Sequence, residues 1–113
     1  MITGTIYAII DDCYFYIGST TKILEVRIHQ HINDSKKESK KYSKLYNYIN
    51  NVRKGWDDII YIVLERIQCN TEYELKKKEY SYIQPHIKDI NCLNHIQNTN
   101  QEYLIYSKKK YYK

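Results

Sequence analysis

With 113 residues, the chain is long enough for one domain with a modest core and too short for two. Its 42% hydrophobic residues, three glycines and one proline exclude a disordered or low-complexity chain. A formal charge of +5 favours a polyanionic partner, nucleic acid first, over an acidic ligand; the plainer alternative is a lysine-rich solvated surface.

Residues 3–10 and 14–19 read as two strands of a β-hairpin around Asp11-Asp12-Cys13. Tyr7 lies in the first strand and Tyr16 in the second, with Gly18 near its end. A helix is expected from Ile23 to Asp34. Leu24, Ile28 and Ile32 recur every four residues as its buried stripe. Arg27 and His31, four apart, share a face beside that stripe. His29 points elsewhere, so His29 and His31 are not a metal pair. The planar fork of Arg27 suits a phosphate, since it donates to two oxygens at once; a surface salt bridge is the simpler reading.

Lys36, Lys37, Lys40 and Lys41 form a lysine-rich loop, either a phosphate contact or a solvated connection. A second helix is expected from Lys41 to Lys54, with Leu45, Ile49 and Val52 inward and Tyr42 and Tyr48 alongside. Gly55 suits a left-handed stop, and Trp56 packs over the core's end. The unbroken apolar run Ile59–Leu64 predicts a strand covered on both faces, completing a three-stranded sheet. Glu65 ends it and reads as a solvated carboxylate. Thr71 and Glu74 have capping-box spacing, and Pro85 stops the third helix after Gln84. Glu79 falls inside that helix's apolar stripe with Leu75 and Ile83. A carboxylate there needs a cation, either a basic side chain or a metal.

No apolar run is long enough to cross a membrane, and the N-terminus lacks a signal-peptide layout. Cys13, Cys69 and Cys92 are odd in number and lack Cys-x-x-Cys spacing, so they read as reduced thiols of an intracellular protein. Cys69, His86, Cys92 and His95 do not have a recognised zinc spacing. The final stretch is lysine- and tyrosine-rich; Leu104-Ile105-Tyr106 is its one apolar cluster, and the rest is expected to fray.

Together these landmarks resemble the GIY-YIG nuclease family. Thr5-Ile6-Tyr7 stands where the family has Gly-Ile-Tyr, and Tyr16-Ile17-Gly18 matches Tyr-Ile-Gly. Arg27, His31, Glu79 and Asn94 fall in the family's order, with Asn91 a competitor for the last position. The resemblance covers roughly residues 3–95. Two departures stand out: Thr5 replaces a glycine, and the hairpin is short.

The resemblance implies an α/β (α+β) domain over residues 1–96. It would hold a small three-stranded antiparallel sheet flanked by helices, in the order ββααβα, with 97–113 as a tail. It implies a divalent-metal-dependent DNA endonuclease with one ion per site, Mg2+ or Mn2+, held by Glu79. Arg27 would then clamp the phosphate, Tyr7 would act as general base, and Tyr16 would sit as its partner near the phosphate. His31 would supply charge or relay a proton, with Gly18 and Asn94 as supports. Lys36, Lys37, Lys40, Lys41, Lys44, Lys108, Lys109 and Lys110 are the expected DNA contacts. A monomer is expected, with a dimer left open. The composition, 14 tyrosines among many Lys, Ile and Asn residues, is also what AT-rich coding yields, and suggests a large DNA virus or phage as source. The competing reading is a catalytically silent nucleic-acid-binding domain on the same fold, supported by Thr5 and the short hairpin.

Overall fold

The computed structural model describes residues 1–94. The expected contacts Lys108, Lys109 and Lys110, the cluster Leu104–Tyr106, and His95 lie outside the described residues.

Strands β1 (Ile2–Asp11) and β2 (Tyr14–Thr20) form the expected hairpin. Its two-residue turn has Asp12 in the left-handed region (φ 55°), which Asp tolerates better than most side chains. Helix α1 (Leu24–Ser35) follows, then a 3-10 turn (Glu38–Lys40), α2 (Lys44–Tyr48) and a π-helical turn (Ile49–Arg53). Strand β3 (Ile60–Cys69) and α3 (Glu72–Ile83) complete the order ββααβα. The sheet is antiparallel throughout, with spatial order β2-β1-β3.

Alternation along β1 divides the core into two layers. Tyr7 and Ile9 pack against Leu24 and Ile28 of α1 and Leu45, Tyr46, Tyr48 and Ile49. Ile6, Ala8 and Ile17 pack on the other face against Leu75 and Ile83 of α3. The same alternation along β2 sends Tyr16 into the first layer and Ile17 into the second.

Five sequence expectations are corrected. The second helix does not begin at Lys41: Ser43 is its N-cap, its hydroxyl accepting from Tyr46 N–H. The helix then widens into the π turn. That extra residue rotates the positions after it, so Val52 is 64% exposed rather than inward. Lys54, not Gly55, takes the left-handed stop (φ 70°). Gly55 follows at φ 140°, and its N–H reaches back to Ile49 O at 3.0 Å, one residue further than in an ordinary Schellman ending because the last turn is a π turn. Glu74 closes no true capping box, because its carboxylate accepts from Asn70 N–H (3.0 Å) rather than from Thr71.

The fifth correction concerns β3. It is an edge strand with one open flank, and Ile60, Ile62 and Val63 are 59%, 42% and 41% exposed. The apolar run reflects β propensity, not two-sided cover. The strand is also longer than expected and carries an irregularity opposite Ile6/Tyr7. Glu65 lies mid-strand and half-buried, accepting from the Tyr82 hydroxyl.

Candidate active site

The site is built on β2, the strand reached from both layers. On the α1 side, Tyr16 and Gly18 stand beside Tyr7, which pairs with Gly18 across the hairpin. A Cβ at Gly18 would lie 2.5 Å from Tyr7 Oη and 3.0 Å from Tyr16 Cε1. Only a missing side chain lets the Tyr7 ring lie across the strand there. On the α3 side, Ser19 donates to Glu79 Oε1 at 2.5 Å. The two motif tyrosines are 6.5 Å apart between ring centroids.

Tyr7 is fully buried. Its hydroxyl is 2.7 Å from His31 Nε2, and His31 Nδ1 is 2.7 Å from the Tyr46 hydroxyl. Burial pushes Tyr7 up to about 12, with the Arg27 guanidinium pulling the other way. Tyr16 is also raised, chiefly by burial. Its hydroxyl has no hydrogen-bond partner among the described residues, and its ring is half-buried. Tyr16 therefore carries an unengaged phenol and Tyr7 an engaged one.

His31 is 1% exposed, so it belongs to the core rather than to a surface beside it. Burial first, and Arg27 second, depress it to about 3. At neutral pH it is an uncharged imidazole. Burial thus disfavours a positive charge on the ring, which stands between the Tyr7 and Tyr46 hydroxyls. Trp56 stacks on it at 6.4 Å and 27°, and donates to Ser35 Oγ.

Arg27 is half-buried, with a 3.4 Å contact to Gln30 Oε1 and its guanidinium directed at the Tyr7 hydroxyl. It does not pair with Glu79. That carboxylate instead meets Lys76 Nζ at 3.4 Å, and its side chain is 18% exposed. Both Ser19 and Lys76 engage Oε1, leaving Oε2 without a partner among the described residues. A hard cation that keeps most of its waters needs about one such oxygen from the protein. Among the described residues no three Asp, Glu, His or Cys side chains converge on a common point. Glu79 thus fits a hydrated Mg2+ or Mn2+ and does not fit a caged zinc.

Asn94 anchors the strand. Its Oδ1 accepts from Ile17 N–H at 3.0 Å and its Nδ2 donates to Ile17 O at 2.8 Å. The amide thereby imitates one more strand residue between Tyr16 and Gly18. The preceding segment runs alongside as well, through Phe15 N–H to Asn91 O and Leu93 N–H to Phe15 O. Asn91 contributes only backbone to this pairing. Thr5 does not crowd the motif: its side chain lines an open cavity of about 320 Å³ with Thr3, Lys22 and Arg66. The neighbouring Gly4 is the tight position, where a Cβ would lie 2.5 Å from Leu75 Cδ1.

The loop lysines are not equivalent. Lys37 pairs with Asp34 at 3.0 Å and Lys41 with Glu38. Lys36 and Lys40 are exposed and form no ion pair among the described residues. Lys44 is half-buried, and its charge bears on Cys92. Sequence reasoning missed Ser19, Tyr46, Trp56 and Lys76 as parts of the site. Only Ser19, two residues from Ile17 on the same strand face, and Lys76, one helical turn before Glu79, had a local signal.

A hairpin bearing two tyrosines thus faces an arginine-histidine helix on one side, with a carboxylate of α3 on the other. The family model of the GIY-YIG catalytic domain matches residues 3–94, and the chain belongs to that family. No curated protein and no solved structure matches the chain in the same comparisons. No helix among the described residues is long and apolar enough to cross a membrane.

Proposed function

We propose that the chain is a divalent-metal-dependent endonuclease that hydrolyses DNA phosphodiester bonds at a single site. Glu79 carries this reading. It is a carboxylate on the α3 side of β2, fixed through one oxygen by Ser19, with Oε2 open and Arg27 and both tyrosines across the strand edge.

Glu79 would hold the ion, which when bound supplies Lewis-acid polarisation of the phosphate and an acidified water. Arg27 carries a fixed positive charge and a two-pronged donor, suited to the charge that builds on the phosphate oxygens. Tyr16 offers its free hydroxyl at the same edge. Tyr7 accepts the proton of the attacking water on the side where Arg27 lies against it. A phenol held at about 12 is a poor resting base, so it works only if its own proton has somewhere to go, and His31 Nε2 is placed for that. Lys36, Lys37, Lys40 and Lys41 give sequence-independent contacts to the DNA backbone.

The second reading, a silent DNA-binding domain, is favoured by the complete burial of Tyr7. The two are separated by incubating supercoiled plasmid with the protein, with Mg2+ and with chelator. Open-circular product only with Mg2+ supports the nuclease. DNA retarded in a gel but intact under every metal tried leaves the silent domain.

A further inference from the structure

One buried side chain in the site has no place in that scheme. Tyr46 is 6% exposed, and its hydroxyl has one hydrogen-bond partner among the described residues, His31 Nδ1, at 2.7 Å. The other nitrogen of the same ring meets the Tyr7 hydroxyl, also at 2.7 Å. These three groups come from β1, α1 and α2, and form one unbroken line of two short hydrogen bonds. Trp56 stacks on the imidazole and meets Tyr46 edge-on, which fixes the ring so that both bonds persist.

We propose that Tyr46 is a positioning residue that completes a proton relay, Tyr7–His31–Tyr46, leading from the reacting water out of the site. This rests on the nuclease reading and extends it. As the water oxygen forms its bond to phosphorus, its O–H bond breaks and the proton passes to Tyr7 Oη. The proton Tyr7 held passes to His31 Nε2, and the proton on His31 Nδ1 passes to Tyr46 Oη. The original Tyr46 proton leaves to solvent. The P–O bond to the leaving oxygen breaks, and that oxygen takes a proton from solvent. Each relay member ends neutral, and no resting phenolate is needed.

Two features favour a relay over a stationary histidine base. Neutral imidazole has one donor and one acceptor nitrogen, so a ring between two phenols passes a proton through by exchanging tautomers. A buried imidazole beside Arg27 also holds a positive charge poorly, so it must release one proton as it takes the other. The charged and titratable groups around His31 are Arg27 and Asp34 of its own helix, Tyr7 and Tyr16 of the hairpin, and Tyr46 of α2. Asp34 is the acid whose charge bears on both His31 and Tyr46.

The test is Tyr46→Phe, which keeps the ring against Trp56 and deletes one oxygen. Plasmid nicking is followed in single turnover in mixtures of H2O and D2O. The relay predicts a roughly 10- to 100-fold slower cleavage step, a share of the usual general-base contribution. DNA affinity and the Mg2+ concentration for half-maximal rate should stay unchanged. Wild type should show a curved dependence on deuterium fraction, with several protons in flight, and the variant a straight or flatter one. Cleavage within threefold of wild type, or an unchanged curve, overturns the relay. If Tyr46→Phe does not fold, fluorotyrosine at position 46 alters acidity with little change in shape: a rate that follows acidity supports the relay, and an unchanged rate overturns it. A wild-type protein that cuts nothing would instead sink the nuclease reading.

Discussion

Acid should unfold this protein earlier than its carboxylates alone would. His31 is 1% exposed and depressed from 6.5 to about 3. Between those values the unfolded chain binds a proton that the folded one refuses. Stability from this group is therefore complete above about pH 6.5 and is lost as pH falls toward 3. The slope is about 1.4 kcal/mol per pH unit for one proton, so about 3 kcal/mol is gone by pH 4.5, an appreciable part of a typical 5–15 kcal/mol. Asp11 and Asp34 are held below their ordinary 3.8 by Tyr48 and Lys37 respectively. Their contributions are present above 3.8 and lost only below it, so the window from 6.5 to 4 isolates the histidine. Urea unfolding at half-unit pH steps measures this directly, with His31→Gln as control. The reasoning is refuted if wild-type stability is flat between pH 6.5 and 4.5, or if the variant has the same slope.

Three further outcomes are expected from the geometry. Gly18→Ala should lose cleavage by at least tenfold and destabilise by about 1–3 kcal/mol, because the methyl meets Tyr7 Oη; a melt and a nicking rate both at wild-type level would contradict that contact. DNA affinity should fall with salt at a log–log slope of roughly −3 to −4 if the four loop lysines each displace a counterion; fluorescence anisotropy between low and moderate salt measures it, and a flat response would leave those charges as solvated surface. One site cuts one strand, so supercoiled plasmid at low enzyme should first give open circles and only later linear DNA, with a monomer in light scattering; linear product at the earliest times would point to a two-fold dimer.

The element order was legible because each element has a local cause. These are a two-residue turn with Asp12, a four-residue apolar repeat in α1, a Thr71 cap, and Pro85 near the end of α3. The interruption of α2 was not legible, since a π turn answers to tertiary packing rather than to propensity. The exposed flank of β3 was hidden because Ile and Val suit any strand, covered or open. In the site, Tyr7, Tyr16 and Gly18 were marked by residue type in the hairpin, and Glu79 by a carboxylate inside an apolar stripe. Tyr46 was not, because among 14 tyrosines nothing local separates one that meets a histidine from one that packs. The depth of His31 was invisible for a similar reason. Helical spacing placed it beside the stripe, and it is closed over by residues from elsewhere in the chain, Tyr7, Tyr16, Tyr46 and Trp56.

The central claim is that Glu79 holds the ion on which cleavage depends. Glu79→Gln keeps the shape, the Ser19 contact and the helix, and removes only the charge. Thermal unfolding should be nearly unchanged, since the amide oxygen still accepts from Ser19 and only a weak ion pair to Lys76 is lost. Mg2+-dependent nicking of supercoiled plasmid by the folded variant should fall by roughly a thousandfold or more, as for loss of a central electrostatic group. Nicking within tenfold of wild type, from a variant that folds normally, would contradict the account.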